Sequence, residues 1–321
     1  MPQISIVIVT WNSQQVLRDC VSSLFALVPE ETFELLLVDN ASKDGDYLDA
    51  YSMRSNVRVI RNQDNLGYAK AVNIGLRAAT GEYHLILNPD MVFLSNPFPK
   101  LIAGLQTNPE IGAIAPLLYG SDGKPQIQDF YPKFPTLLQF ILLRSLLGKL
   151  TLSKRLAVRF CHSHVALSGT HFVDQIPGAF LLFHKNRFLG KDALNEAYFI
   201  WMEDVDFCLT LKGMGLKAAV DADERITHIG GTSFKMWDVS RKKLMFTESF
   251  MTYLRLHHGV ASHLAHGLLM SLNAIAIALI MTAVYAPKLS LVDIRSRFIL
   301  EGKVLALIAK SLIARLATFW R

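Results

Sequence analysis

The sequence predicts an α/β fold with a mostly parallel, Rossmann-like sheet. β-branched apolar runs alternate with stretches of helical periodicity through the first third of the chain. The runs end in polar residues, at Thr10-Trp11-Asn12, Asp39-Asn40 and Asn88-Pro89-Asp90. In open α/β sheets the carboxyl edge of the strands is where ligands bind. No GxGxxG follows the first run and no GxxxxGK[ST] occurs. Dinucleotide oxidoreductases and P-loop NTPases therefore lose their main support.

The elements follow in order. Residues 4–9 form a continuous apolar run, as expected of a strand buried on both faces. The run is too short for a secretory leader and Met1-Pro2-Gln3 carries no basic residue, so no leader is expected. Ser13 is placed to cap a helix over 14–26. Residues 34–38 and 57–60 are the next strands. A helix over 68–79 sets Ala69, Ala71, Val72 and Leu76 on its inner side, and 83–87 is the fourth strand. Pro89 fixes its own φ and holds Asn88 extended, so Asp90 stands on a stiff turn.

Residues 130–173 hold Lys133, Arg144, Lys149, Lys154, Arg155 and Arg159 and no acidic residue, with leucines between them. This is either a basic amphipathic element lying on a membrane surface or a core helix with a basic outer face. Residues 176–183 return to the core. The aromatic run Tyr198, Phe199 and Trp201 leads into Glu203-Asp204, and Asp206 is read as the start of a helix that Gly213 and Gly215 end. Residues 217–220 form the last strand, which leads to His228.

From 256 to 287 there is no charged residue, and 267–286 is long enough to span a bilayer. Beyond it Leu305, Ile308, Leu312, Leu316 and Phe319 recur at helical spacing beside Lys303, Lys310 and Arg315. A single span would carry this basic tail to the far side, against the positive-inside tendency. Interfacial helices or a re-entrant hairpin are expected; one span, or an oligomer interface, is the alternative. The expected division is a catalytic domain over 1–255 and membrane-associating helices over 256–321.

The net charge of +6 and the pI near 9.2 suit an anionic partner, either a phosphorylated substrate or an acidic lipid surface. Zinc-finger, homeodomain and RNP patterns are absent, so nucleic acid is not expected as a partner. Hydrophobic residues make up 51% of the chain and mean hydropathy is +0.28, an excess concentrated in the last third. Cys20, Cys161 and Cys208 are odd in number and far apart, which indicates a reducing compartment and small core hydrophobes.

Each candidate site residue has a bland alternative. Asp90 either holds a hard cation such as Mg²⁺ or Mn²⁺ together with substrate phosphates, or caps its turn. Asp39 either accepts hydrogen bonds from a nucleobase or ribose, or caps a turn. Asn65, Gly67 and Asn73 flank a helix start, where backbone N–H groups hold anions or simply form a loop. Glu203-Asp204 follows aromatics that desolvate a carboxylate and raise its pKa, as suits a base that takes a hydroxyl proton. Asp206 is a first-turn charge favoured by the helix dipole. His228 is either an ordinary lone histidine or a neutral imidazole that completes a metal shell with Asp90, and its place after the last strand favours the ligand.

The ordered set is more specific than its parts. Ser5 to Asn12, Val38-Asp39-Asn40-Ala41-Ser42 with Asp44-Gly45, Asn65-Leu66-Gly67-Tyr68-Ala69 through Asn73-Ile74-Gly75, and Leu87-Asn88-Pro89-Asp90 come first. Gly178-Ala179-Phe180, Glu203-Asp204-Val205-Asp206 and His228-Ile229-Gly230-Gly231-Thr232-Ser233 follow. Over residues 3–255 the chain resembles the family 2 glycosyltransferases of the GT-A fold, in particular their bacterial rhamnosyltransferase-like branch.

The resemblance implies inverting, metal-dependent transfer from a nucleotide-diphosphate sugar, dTDP- or UDP-linked; the basic amphipathic segments add the expectation of a lipid-linked or surface-polysaccharide acceptor at the cytoplasmic membrane face. The implied nucleotide-sugar set is Thr10, Trp11, Asn12, Asp39, Asn40, Ser42, Asn65, Gly67, Asn73 and Asn88. Asp90 and His228 are the implied metal residues, and Asp204, with Glu203 beside it, the implied catalytic base. Asn88 replaces the first acid of the DxD-like motif. Leu194-Asn195-Glu196 stands where many relatives carry Phe-Asp-Glu, and Thr210 where many carry Arg. QxxRW, the mark of processive synthases, is absent. The competing readings are a non-catalytic nucleotide-sugar-binding scaffold and a polyprenyl-phosphate glycosyltransferase.

Overall fold

The run at 4–9 becomes strand β1 (Ile4–Thr10), buried along its whole length. In a computed structural model of the chain, residues 2–127, 132–136, 165–230, 238–285 and 291–319 are described. Most of the basic segment 130–173, Ala286 and the stretch from Gly231 to Ser233 lie outside them.

After β1 come α1 (Gln14–Leu27), β2 (Phe33–Asp39), a short α2 (Asp49–Ser52), β3 (Val57–Arg61), α3 (Tyr68–Ala78) and β4 (Tyr83–Leu87). Then follow β5 (Met91–Phe93), α4 (Phe98–Thr107), β6 (Ile111–Tyr119), β7 (Thr170–Val173), β8 (Phe180–His184), α5 (Glu203–Gly213) and β9 (Lys217–His228). On α1, Leu17, Cys20, Val21 and Leu24 make one buried stripe at helical spacing. Burial of each leucine or valine there contributes about 1.5–3 kcal/mol. Cys20 and Cys208 are buried free thiols, held protonated by desolvation. Helix α3 lies close on the sheet because Gly75 has no side chain: a Cβ there would stand 2.4 Å from Val7 Cγ1.

Among the described residues the sheet has nine strands in the order β3-β2-β1-β4-β8-β6-β9-β5, with β7 on β9. The pairs β3-β2, β2-β1 and β1-β4 are parallel. Beyond β4 the sheet is mixed: β8 is antiparallel to both β4 and β6, and β9 is parallel to β6. Two reversals restore direction, so β9 runs the same way as β1 and β4. His228 therefore ends its strand on the edge where Thr10, Asp39 and Leu87 end theirs. β5 runs back along β9 from that edge, with Met91 opposite His228. β8 also starts there, with Phe180 opposite Leu87.

Several details differ from the sequence expectation. The last strand runs on from 220 to His228. Ser13 precedes α1 without a side-chain cap; its hydroxyl donates to Trp11 O at 3.1 Å. Helix α5 starts at Glu203 and not at Asp206, which places all three acids in its first turn. Strands β5 and β6 and helix α4 had no expectation.

Two compact units are distinguished. The sheet unit draws on Met1–Phe134, Cys161–Phe199 and Glu203–Met236. The second draws on Pro135–Phe160, Ile200–Met202 and Trp237–Arg321. Its helices are α6 (Val239–His257), α7 (Val260–Tyr285) and α8 (Leu291–Phe319). Asp238 caps α6 by accepting from Arg241 N at 2.7 Å. Gly267 lets α7 and α8 approach, since a Cβ there would meet Leu312 at 2.7 Å. Lys243 and Glu301 pair between α6 and α8. On α7, Met270, Ala274 and Ala278 are buried, while Leu268, Leu272, Ile275 and Leu279 stay exposed at helical spacing. Over Val260–Ile280 the helix is long and apolar enough to cross a membrane.

Candidate active site

The parallel pairing sets Thr10 beside Asp39 at the strand ends. Thr10 is buried, and its hydroxyl lies 2.6 Å from that of Tyr47. Asp39 accepts from Ser42 Oγ at 2.5 Å, and that same oxygen receives Asn12 N at 2.8 Å. Asn12 Oδ1 in turn accepts from Lys43 N at 2.8 Å. Asn12 and Ala41 hold left-handed φ values of 51° and 63°. Asn tolerates that region, whereas Ala does so at a cost of about 1 kcal/mol or more. These bonds tie Asn12, Asp39 and Ser42 into one shaped loop beside the half-buried Trp11.

Asn40, Asn65 and Asn73 have their amides engaged inside the protein. Asn40 Nδ2 donates to Asn65 Oδ1 at 3.0 Å and to Gly67 O at 3.2 Å, while its Oδ1 receives Asn62 Nδ2 and Leu66 N. Asn73 donates to Leu194 O at 2.7 Å and accepts from Leu194 N at 3.1 Å. Gly67 has φ 87°, and a Cβ there would come within 2.7 Å of Phe199 O. These residues shape the loops behind the edge.

Asn88 N donates to Ala179 O at 2.9 Å, which joins the Asp90 turn to the start of β8. Asn88 Oδ1 accepts from the Tyr68 hydroxyl at 2.8 Å. Asp90 and His228 are both buried, with Asp90 Oδ1 3.5 Å from His228 Nε2. On the other side of the ring, His228 Nδ1 lies 3.3 Å from Gln126 Oε1. An amide oxygen only accepts, so this contact is satisfied by a proton on Nδ1, which leaves Nε2 as the ring nitrogen that faces Asp90. A carboxylate oxygen and an imidazole nitrogen at this spacing suit one shared divalent cation whose other ligands come from substrate and water. Among the described residues, no group of three or more acids, histidines or cysteines is placed to hold a metal by itself.

The acids of α5 complete the edge. Asp204 is half-buried and receives Gly178 N at 3.2 Å and Val205 N at 2.8 Å. Desolvation raises its pKa, and those N–H groups oppose the rise. Glu203 is buried, and no hydrogen bond reaches its Oε2. Desolvation, and then the charge of Asp204, push its pKa well above the ordinary carboxylate range. Asp206 instead accepts from the Tyr198 hydroxyl at 3.1 Å. Hydrogen bonds join these groups into one neighbourhood: the Tyr68 hydroxyl reaches Asn88 Oδ1 and Gly178 O, and Gly178 N reaches Asp204. The pKa of Tyr68 is raised first by burial, then by the charges of Glu203, Asp204 and Asp90.

Sequence reasoning gave no role to Tyr47, Tyr68, Gln126 or Gly178. Tyr68 and Gly178 lay inside the quoted motifs. Nothing in the sequence around Gln126 marks it as the partner of a histidine 102 residues away.

The sequence profile described as Glycosyl transferase family 2 matches residues 5–166, half of the chain. An N-acetylglucosaminyl-diphospho-decaprenol L-rhamnosyltransferase from Mycobacterium tuberculosis is 27% identical over 215 residues, which cover 63% of this chain and 67% of that protein. Among solved structures, a mannosyltransferase from Pyrobaculum calidifontis in complex with GDP-Man and Mn²⁺ aligns with a TM-score of 0.52 at 15% identity, over 97% of this chain and 87% of that one. Staphylococcus aureus TarS 1-349 aligns with a TM-score of 0.51 at 17% identity, over 98% of this chain and 83% of that one. At such identities the structures establish the fold alone, a GT-A fold.

Proposed function

The chain belongs to glycosyl transferase family 2, and we propose that it inverts the anomeric centre of a dTDP- or UDP-linked sugar while transferring it to a hydroxyl of a lipid-linked glycan. The observation that supports this reading most is the hydrogen-bonded link from the Asn88–Asp90 turn through Tyr68 and Gly178 to Asp204, with His228 3.5 Å from Asp90. Thr10, Asn12, Asp39 and Ser42 shape the nucleoside end, as their linked hydrogen bonds support.

Asp204 takes the acceptor proton as the hydroxyl oxygen attacks the anomeric carbon and the nucleoside diphosphate departs. Its raised pKa strengthens it as a base, and the two N–H groups keep it ionised and oriented. Burial, and then the charge of Asp204, favour the protonated form of Glu203 beside it. Asp90 and His228 are the residues that would hold Mg²⁺ or Mn²⁺, and such an ion would supply Lewis-acid stabilisation to the leaving diphosphate. An L-rhamnosyl donor and a polyprenyl-diphosphate-linked acceptor follow from the mycobacterial relative's name.

Helices α7 and α8 fit a place at the cytoplasmic membrane surface. The exposed stripe of α7 suits acyl chains, and Lys303, Lys310 and Arg315 on α8 suit acidic headgroups.

The test is transfer from dTDP-L-rhamnose, UDP-GlcNAc or GDP-mannose to a polyprenyl-diphospho-GlcNAc acceptor, with the product anomer read by NMR. One donor is expected to give an inverted linkage, EDTA to reduce turnover more than a hundredfold, and Mn²⁺ or Mg²⁺ to restore it. A retained anomer overturns the single displacement, and full activity in EDTA overturns the role of Asp90 and His228.

A further inference from the structure

Tyr68 is the first residue of α3, and three loops of the active edge converge on it. Its hydroxyl lies 2.8 Å from Asn88 Oδ1 and 3.0 Å from Gly178 O, both acceptors. Its backbone N–H donates to Phe199 O at 2.6 Å. Asn88 opens the turn that carries Asp90, and Gly178 N holds Asp204 Oδ2 at 3.2 Å. Phe199 belongs to the aromatic run ahead of Glu203. A helix start with Gly67 before it makes this convergence sterically feasible, since any Cβ at 67 would strike Phe199.

We propose that the Tyr68 hydroxyl is a positioning group that sets the spacing between the donor-side Asn88–Asp90 turn and the base-side Gly178–Asp204 contact. The proposal rests on the glycosyltransferase reading and adds to it a residue that touches neither reacting atom. The phenol has one proton and two acceptors, Asn88 Oδ1 on the turn that carries Asp90 and the carbonyl of Gly178, whose N–H holds Asp204, so the ring acts as a fixed spacer. Displacement needs the attacking oxygen about 3–3.5 Å from the anomeric carbon, and a misplacement of about 1 Å costs on the order of a hundredfold in rate. The hydrogen bonds that shape the loop at Thr10, Asn12 and Asp39 do not involve Tyr68. Loss of the hydroxyl is therefore expected to slow chemistry while leaving nucleotide binding in place.

The experiment compares the full chain with Tyr68→Phe, which keeps the ring. Turnover is measured with the donor the wild-type chain uses best, and Kd for UDP and dTDP by thermal shift. The expected result is a ten- to hundredfold fall in kcat with both Kd values within threefold of wild type. A kcat within twofold of wild type overturns the proposal, and so does a nucleotide Kd that weakens in proportion to the rate. If Tyr68→Phe does not fold, Asn88→Ala removes the same bond from the other side and must show the same kcat fall. Where both fold, the double variant is expected to be no slower than the slower single one, and multiplicative losses overturn the shared-bond assignment. A wild-type chain that transfers no sugar from any donor defeats the parent reading and this one with it. An active wild type with an unaffected Tyr68→Phe defeats the spacer alone.

Discussion

The inner face of α3 and the first turn of α5 both bury polar side chains, and they do so in opposite ways. Asn73, on α3, has its amide oxygen and nitrogen matched by the backbone of Leu194. Glu203, on α5, is buried with Oε2 unmatched and with the charge of Asp204 beside it. A satisfied buried amide adds stability and holds a loop. A pair of buried acids costs stability and gains reactivity, which is how perturbed carboxylates come to mark catalytic sites.

The largest expected effect lies on the α5 side. Asp204→Asn keeps the shape and removes the base, so kcat is expected to fall by about 10²–10⁴-fold with donor affinity within threefold. A kcat near wild type erases the distinction between the two regions.

The pH profile comes next. Asp204 acts only when ionised, and its pKa is raised by desolvation. Turnover should therefore fall as pH drops through that raised value, about tenfold per pH unit. An acid limb at or below the ordinary aspartate value of about 3.9 contradicts the desolvated base.

Asn73→Ala reverses the outcome. It strands both backbone groups of Leu194, so urea unfolding should show a loss of about 2–3 kcal/mol, while donor Kd stays within threefold. A large loss of donor affinity in the folded variant would return Asn73 to the nucleotide site.

The smallest effect is at Glu203. Its folded pKa is raised above the unfolded value, so its contribution to stability is present below about pH 4.3 and is lost as pH rises through the folded value. Glu203→Gln should be the more stable protein at pH 8 by on the order of 1 kcal/mol, with the difference closing toward pH 4. Melting curves at both pH values check the sign, and a variant less stable at pH 8 means that the charged form of Glu203 is stabilised.

Much of the first half was legible in the sequence because its signals are local. The period of buried strands, the stripe on the inner side of α3 and the turn at Asn88-Pro89-Asp90 each lie within a few residues. The ends of β1, β2 and β4 share an edge by the parallel rule alone. The motif Glu203-Asp204 was also visible, although Asp206 was read as the helix start and the helix begins at Glu203.

By itself, then, the chain determined the parallel strands of its first third, its family resemblance and the types of residue at the active edge, since these depend on short-range pattern and composition. Only the tertiary structure decided what those residues touch. Two antiparallel steps through β8 turn β9 back, so that His228 arrives beside Asp90 with Gln126 behind its ring. The same folding drew Asn40 and Asn73 into internal bonds and left Glu203 buried against Asp204. Hydrogen-bond partners and desolvation arise from contacts between segments far apart in sequence. No local pattern encodes them.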